Sequence, residues 1–239
     1  MSPVRSAVDD YGMINAGDRV AVGVSGGKDS LVLLMALKRL SMFYPKPFEI
    51  VGLTLDMGMD GVDLSPINEL ASDNNIEYHI KKTEIYNIIF NERKEKNPCS
   101  LCAVMRRGIL IEYAKSLGCN KIALGHHYDD AVETFMMNLI HEGRIGVFRP
   151  VTYMSRTDVT VIRPLIYVEE GKVRSCAIRN NLPVIHNPCP ANGHTQRQKT
   201  KELIVKLDKD YKNIKKRLFG AIQRAGIDGW NIDKNDEKL

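Results

Sequence analysis

No cysteine precedes Cys99 or follows Cys189, and the chain holds only five among 239 residues. So few thiols leave no room for the disulfide frame of a small secreted domain. The first residues, MSPVRSAVDDYGMI, carry acids and lack the apolar core of a secretory leader. Reduced thiols used for metal or catalysis are expected instead. Long apolar runs are missing as well. None approaches the roughly 20 residues a membrane helix needs, so a cytoplasmic location without membrane contact is expected. No internal repeat and no low-complexity segment occurs. Acidic residues are slightly outnumbered, 29 against 34 Lys and Arg, for a formal charge of +5. That excess permits a polyanionic partner without demanding one. Much of it gathers at Arg197, Lys199, Lys201, Lys206, Lys209, Lys212, Lys215, Lys216, Arg217 and Arg224. A solvated face on terminal helices and a nucleic-acid surface explain this run about equally well.

What is present suits one well-packed domain with a small appendage, divided at 1–180 and 181–239. Arg19 to Val24 (RVAVGV) reads as a buried strand, and Asp29 to Phe43 as a helix. Further strands are expected at Phe48–Leu55, Ile76–Ile80, Lys121–Leu124 and Val159–Ile162. Helices are expected at Leu64–Asn74, Leu101–Leu117, Tyr128–His141 and Glu169–Asn180. The last forty residues or so read as helical to Gly226 and frayed beyond it. Alternating strands and helices imply an α/β fold with a doubly wound parallel sheet, Rossmann-like, of order 3-2-1-4-5.

Directly after the first strand stands Ser25-Gly26-Gly27-Lys28-Asp29-Ser30. Paired glycines let the backbone turn tightly, and successive N–H groups then converge at a helix N-terminus, where the dipole favours an anion. Ser25 and Ser30 add hydroxyls and Lys28 a point charge. The spacing is not that of a Walker A loop. A second loop, Gly125-His126-His127-Tyr128-Asp129-Asp130, follows the fourth strand. In the expected strand order, strands one and four flank the ligand crevice and the two loops face each other. Adjacent carboxylates beside a triphosphate are natural Mg²⁺ ligands, although Asp also suits helix capping. His126 and His127 also read as packed or capping histidines.

Cys99-Ser100-Leu101-Cys102 is a C-x-x-C pair at a helix start, where the dipole lowers thiol pKa. Structural zinc wants four ligands, and no second pair exists. Three thiolates suit a [4Fe–4S] cluster with one iron left open. Cys189, in His186-Asn187-Pro188-Cys189-Pro190, lies in a loop and can reach inward. Cys119 and Cys176 read as packed thiols. Arg106 and Arg107 follow one turn after the pair and suit phosphate binding or simple exposure.

SGGKDS resembles the pyrophosphate loop of the PP-loop ATPases, of the HUP type, which split ATP into AMP and pyrophosphate to activate a carbonyl oxygen. That resemblance implies nucleotide contacts from Ser25 through Ser30, with Asp56 near the adenosine, although an Asp there also suits a simple turn. From about Val20 to Arg224 the chain resembles the tRNA 2-thiocytidine synthetases. The likeness is carried by SGGKDS, C-x-x-C-x-x-x-R-R-G, GHHYDD, VIRPLIYV and the HTQRQ stretch. The family implies ATP, Mg²⁺, tRNA and a [4Fe–4S] cluster on Cys99, Cys102 and Cys189. It also implies a sulfur donor such as a cysteine desulfurase, a homodimer, and cytidine 32 as the target. Gly125, His126 and Arg106 would then contribute to binding, with Lys28, Asp29, Asp129 and Asp130 catalytic. Bacterial members often carry a second cysteine just before the third ligand, where Asn and Pro stand here. Uridine-thiolating relatives usually add zinc-binding cysteine pairs near the chain ends, which this sequence lacks. Two alternatives are a PP-loop enzyme acting on a small molecule and a nucleotide or iron–sulfur sensor.

Overall fold

The computed structural model describes residues 2–59, 61–93, 98–185, 188–189 and 196–232. Its centre is β1 (Arg19–Gly23), flanked by β2 (Glu49–Asp56) and β4 (Lys121–Ala123). Outside these lie β3 (Glu77–Lys82) on one side, and β6 (Val159–Ile162) then β5 (Val151–Met154) on the other, for the order β3-β2-β1-β4-β6-β5. All neighbours run parallel except β5 and β6. The expected 3-2-1-4-5 sheet is therefore present, with one antiparallel edge strand added. The added strand was not legible because VTYM is short and only half-buried. It pairs with β6 through a tight turn in which Asp158 takes φ +55°.

The helices are α1 (Ser2–Asp10), α2 (Lys28–Ser41), α3 (Ser65–Asp73), α4 (Pro98–Ser116), α5 (Tyr128–His141), α6 (Glu170–Arg179), α7 (Gln196–Asp210) and α8 (Ile214–Arg224). A π-helical turn, Asn87–Glu92, and a 3₁₀ turn, Ile227–Gly229, complete them. Leu31, Leu33, Leu34, Leu37 and Leu40 put the inner face of α2 wholly out of solvent. Burial of about 2 kcal/mol per leucine anchors this helix, and with it the loop at its start. No helix among the described residues is long and apolar enough to cross a membrane.

Two departures concern the chain ends. The start forms α1, which buries Val4, Ala7 and Val8. The stretch beyond Gly226 is not frayed through Trp230. That side chain is fully buried, its Nε1 donates to Phe148 O at 2.7 Å, and its carbonyl accepts from Tyr11 Oη at 3.0 Å. Hydrophobic burial and two hydrogen bonds tie both ends to the core, which local propensity cannot reveal.

Candidate active site at the switch point of the sheet

The strand order reverses between β1 and β4, and ligands of open parallel sheets bind at the carboxyl ends beside that point. The loop after β1 turns at Gly26, whose φ of +81° suits glycine. Ser30 Oγ donates to Gly27 O at 2.9 Å and accepts from the Ser25 N–H at 3.1 Å, closing the loop on itself. Gly27 caps α2 without any side-chain hydrogen bond, so side chains leave the first-turn amides for an incoming anion.

The loop after β4 comes against it. A β-carbon on Gly125 would lie 3.1 Å from the Asp29 carbonyl carbon and 3.2 Å from the Ser30 nitrogen. Both neighbours are backbone and cannot swing aside. Gly125→Ala should therefore displace the phosphate loop and weaken equilibrium ATP binding about tenfold, the result of some 1–3 kcal/mol of overpacking. Unchanged affinity in a calorimetric titration would refute the close-approach reading.

His127 caps α5 through a reciprocal pair of bonds with Asp130. Its N–H donates to Asp130 Oδ2 at 2.9 Å, and its Nδ1 accepts from the Asp130 N–H at 3.4 Å. Its Nε2 lies 3.7 Å from Asp29 Oδ1. Asp130 also meets Arg197 of α7 at 3.1 Å. Buried Asp129 accepts from the Glu170 N–H and from Lys215 of α8, each at 2.7 Å. Burial works to raise the Asp129 pKa, but these donors outweigh it and hold the carboxylate below its ordinary range. Both carboxylates thus cap helices and engage C-terminal cations.

Glu170 was not singled out by the sequence, where an acid at a helix start is unremarkable. In the fold it lies 3.3 Å from Lys28 Nζ and 2.6 Å from Lys201 Nζ. Burial alone would raise its pKa, yet Lys201 and then Lys28 pull it down to about 2. Lys28 also stands 3.1 Å from Asp29. The phosphate-loop lysine therefore sits between two carboxylates, one of them bound to α7.

A cavity of about 490 Å³ opens beside this loop. Ser25, Gly27 and Asp56 line one part of it, and Cys102, Cys189, Arg106, Arg107 and His126 another. Leu53, Leu110, Ile122 and Leu124 form apolar wall between them. Asp56 ends β2 and closes a turn by accepting from the Gly58 N–H at 3.0 Å, so it fulfils the turn role while facing the cavity. His126 packs against Phe148 at a tilt, centroids 4.9 Å apart, with Nδ1 buried and unpartnered. Burial, then Arg163, lower its pKa to about 3, so the imidazole is neutral. Arg163 crosses the same Phe148 ring at 5.2 Å and donates to Arg149 O at 2.6 Å. A charge inside the apolar run VIRPL was the available signal for it.

Cys99 is exposed at the start of α4 and Cys102 is half-buried one turn on. Burial pushes the Cys102 thiol up, Arg106 opposes this, and the nearby Cys189 and Cys99 add to the rise. Cys99 and Cys189 therefore each lie within electrostatic reach of Cys102. Among the described residues no three His, Cys, Asp or Glu side chains already form a closed metal cage. The donor set nevertheless fits an iron–sulfur cluster, since soft thiolates are its usual ligands and binding must expel the thiol protons. Cys119 is buried in the core beside β4, and Cys176 lies on α6. His186, Asn187 and Pro190 lie outside the described residues.

Residues 4–206 match the PP-loop domain family. The tRNA-cytidine(32) 2-sulfurtransferase of Geobacter sulfurreducens is 40% identical over 222 residues, 92% of this chain and 86% of that protein. The enzyme of the same name from Geotalea daltonii is also 40% identical, over 92% of this chain and 88% of its own. Among solved structures, the U34-tRNA thiolase NcsA from Methanococcus maripaludis, with its [4Fe-4S] cluster, superposes with a TM-score of 0.77. It is 25% identical and covers 94% of this chain and 77% of its own. The NH3-dependent NAD synthetase of Campylobacter jejuni shares the fold, with a TM-score of 0.52 at 16% identity over 92% of this chain and 88% of its own. With its phosphate loop, facing histidine–aspartate loop and cysteine-lined cavity in that fold, the chain belongs to the PP-loop domain family, in the branch of the tRNA-cytidine(32) 2-sulfurtransferases.

Proposed function

We propose that this protein is an ATP-dependent tRNA sulfurtransferase that replaces the C2 oxygen of cytidine 32 with sulfur. The observation that carries this reading is the single cavity joining the phosphate loop at Ser25 and Gly27 to Cys102 and Cys189. A nucleotide held at one part and a base at the other would share one space with largely apolar walls, which becomes poor in water as the two ligands fill it. Electrostatic interactions are stronger in such a space than in water.

ATP enters as its Mg²⁺ complex, with its phosphates on the loop amides and Lys28. Asp29 is the carboxylate beside them. The C2 oxygen of the base attacks the α-phosphorus and pyrophosphate leaves, giving an adenylated base. A sulfur nucleophile then adds at C2, and AMP departs with the original oxygen. Lys28 and the α2 amides stabilise charge on the phosphates throughout. Asp129 and Asp130 act by holding the starts of α5 and α6 in place, because their oxygens are engaged by helix amides and by Lys215 and Arg197. Asp56 faces the adenosine, and neutral His126 with Arg106 borders the base. Cys99, Cys102 and Cys189 would hold a [4Fe–4S] cluster, which would supply the sulfur-transfer chemistry beside the base. The sulfur reaches the site from a separate donor such as a cysteine desulfurase, and the enzyme works as a homodimer in the cytoplasm.

Nucleoside mass spectrometry of tRNA from cells with and without the gene tests the reading. Selective loss of 2-thiocytidine is expected. Loss of a thiouridine would move the substrate, and survival of every thiolated nucleoside would refute tRNA thiolation.

A further inference from the structure

Between Gln196 and Arg224 the chain carries ten Lys and Arg against three acids, a net +7, whereas the whole chain has +5. All other residues together are therefore slightly acidic, at −2. The positive character of the molecule resides in the α7–α8 hairpin. Its ten cations divide into two sets in the fold. Arg197, Lys201 and Lys215 turn inward and are engaged by Asp130, Glu170 and Asp129. The remaining seven, among them Lys209, Lys212, Lys216 and Arg217, are exposed. The inner set fastens the hairpin to the starts of α5 and α6, beside the phosphate loop. The outer set is left facing solvent.

We propose that this outer face is the docking surface for the phosphate backbone of the RNA substrate, an inference that rests on the proposed function. Three observations favour RNA. Tyr211 stands at the turn between the helices, 57% exposed and flanked by Lys209 and Lys212, where it can stack on an unpaired base. The three acids interleaved in this region, Glu202, Asp208 and Asp210, are too few to cancel the charge and leave it at a net +7. A lipid surface would require a continuous free apolar face, but α7 exposes only Leu203 and Val205 of its large apolar side chains and α8 spends its own on the core. Phe219 and Ile222 are buried there, with Phe219 stacked 4.2 Å from Tyr128. Placement also agrees. The hairpin packs on α5, whose first turn holds the Asp129–Asp130 pair, so RNA held on its outer face would lie next to the cavity.

The test uses the full chain and a labelled, unmodified tRNA transcript, with affinity measured across a series of salt concentrations. The triple variant K209Q/K212Q/K216Q should weaken tRNA binding at least tenfold. It should also lower the slope of log affinity against log salt by about 2 to 3, one unit or slightly less for each lost phosphate contact. ATP affinity and the thermal midpoint should not move, because none of the three residues touches the loop or the core. Wild-type binding that is salt-sensitive but unaltered in the variant would overturn this surface and leave the proposed function standing. Wild-type protein that shows no salt-sensitive tRNA binding would overturn the proposed function itself. Selective loss of binding to phosphatidylglycerol vesicles, with tRNA affinity intact, would make the face a membrane contact and overturn the proposal.

Discussion

Replacing Cys189 by alanine is expected to reduce thiolation to background and remove the broad iron–sulfur absorbance, while ATP binding persists. Cys189 lines the cavity with Cys102, and both it and Cys99 bear on the Cys102 thiol. A cluster held by three thiolates has no spare protein ligand, so loss of one leaves an assembly open to solvent and oxidation. The cradle proposed for the nucleotide is closed by Ser30 Oγ on Gly27 O and the Ser25 N–H and is packed by Gly125, contacts in which Cys189 takes no part. Iron and sulfide content after anaerobic reconstitution, set beside a calorimetric ATP titration, separates the two functions. Cys176→Ala provides the comparison, because Cys176 lies on α6 and is absent from the cavity wall; it should load and turn over normally. Full iron loading of the Cys189→Ala protein would remove Cys189 from the ligand set.

Lys28→Met should slow pyrophosphate release by a factor on the order of 10²–10³, the usual effect of deleting one preorganised charge at a developing anion. Lys28 belongs to the loop itself and lies between Asp29 at 3.1 Å and Glu170 at 3.3 Å. Methionine keeps the length of the stem and removes the charge. It also leaves those two carboxylates without their shared cation, which adds repulsion toward a triphosphate. Both effects oppose ATP, so its affinity should fall along with the single-turnover rate. Global stability should change little, because Glu170 keeps Lys201 at 2.6 Å and the Lys28 side chain is partly solvated. Single-turnover release of labelled pyrophosphate, with saturating tRNA, checks the rate. A wild-type rate would place the phosphates elsewhere in the cavity.

Much of the site was legible because its chemistry is local. Gly26 and Gly27 between a β-branched run and an apolar helix predict a phosphate loop, and φ +81° at Gly26 is the conformation such a turn needs. The GHHYDD loop was legible for the same reason, as a strand end followed by acids at a helix start. Its capping alternative was also correct in part, since Asp130 and His127 close a reciprocal cap. The five expected strands were found in the expected order because each is an apolar run bounded by turns.

The remaining features depend on contacts between residues far apart in the chain. Glu170 gains its importance only when folding brings Lys28 and Lys201 to it. Trp230, in the stretch expected to fray, is held by Phe148 and Tyr11, more than 80 residues away. The short β5 exists because β6 offers it an edge. By itself, then, the sequence determined the phosphate loop, the parallel sheet and the cysteines available for a cluster, all of which follow from residue type and near-neighbour spacing. Tertiary structure alone decided which carboxylates the inner basic residues of the C-terminal hairpin meet. Charge is the same for both sets, and helical period goes only as far as placing Arg197 and Lys201 on the stripe of Thr200 and Ile204 and Lys215 on that of Phe219 and Ile222. What separates them is desolvation beside Asp129, Asp130 and Glu170, and burial of that kind is a property of packing.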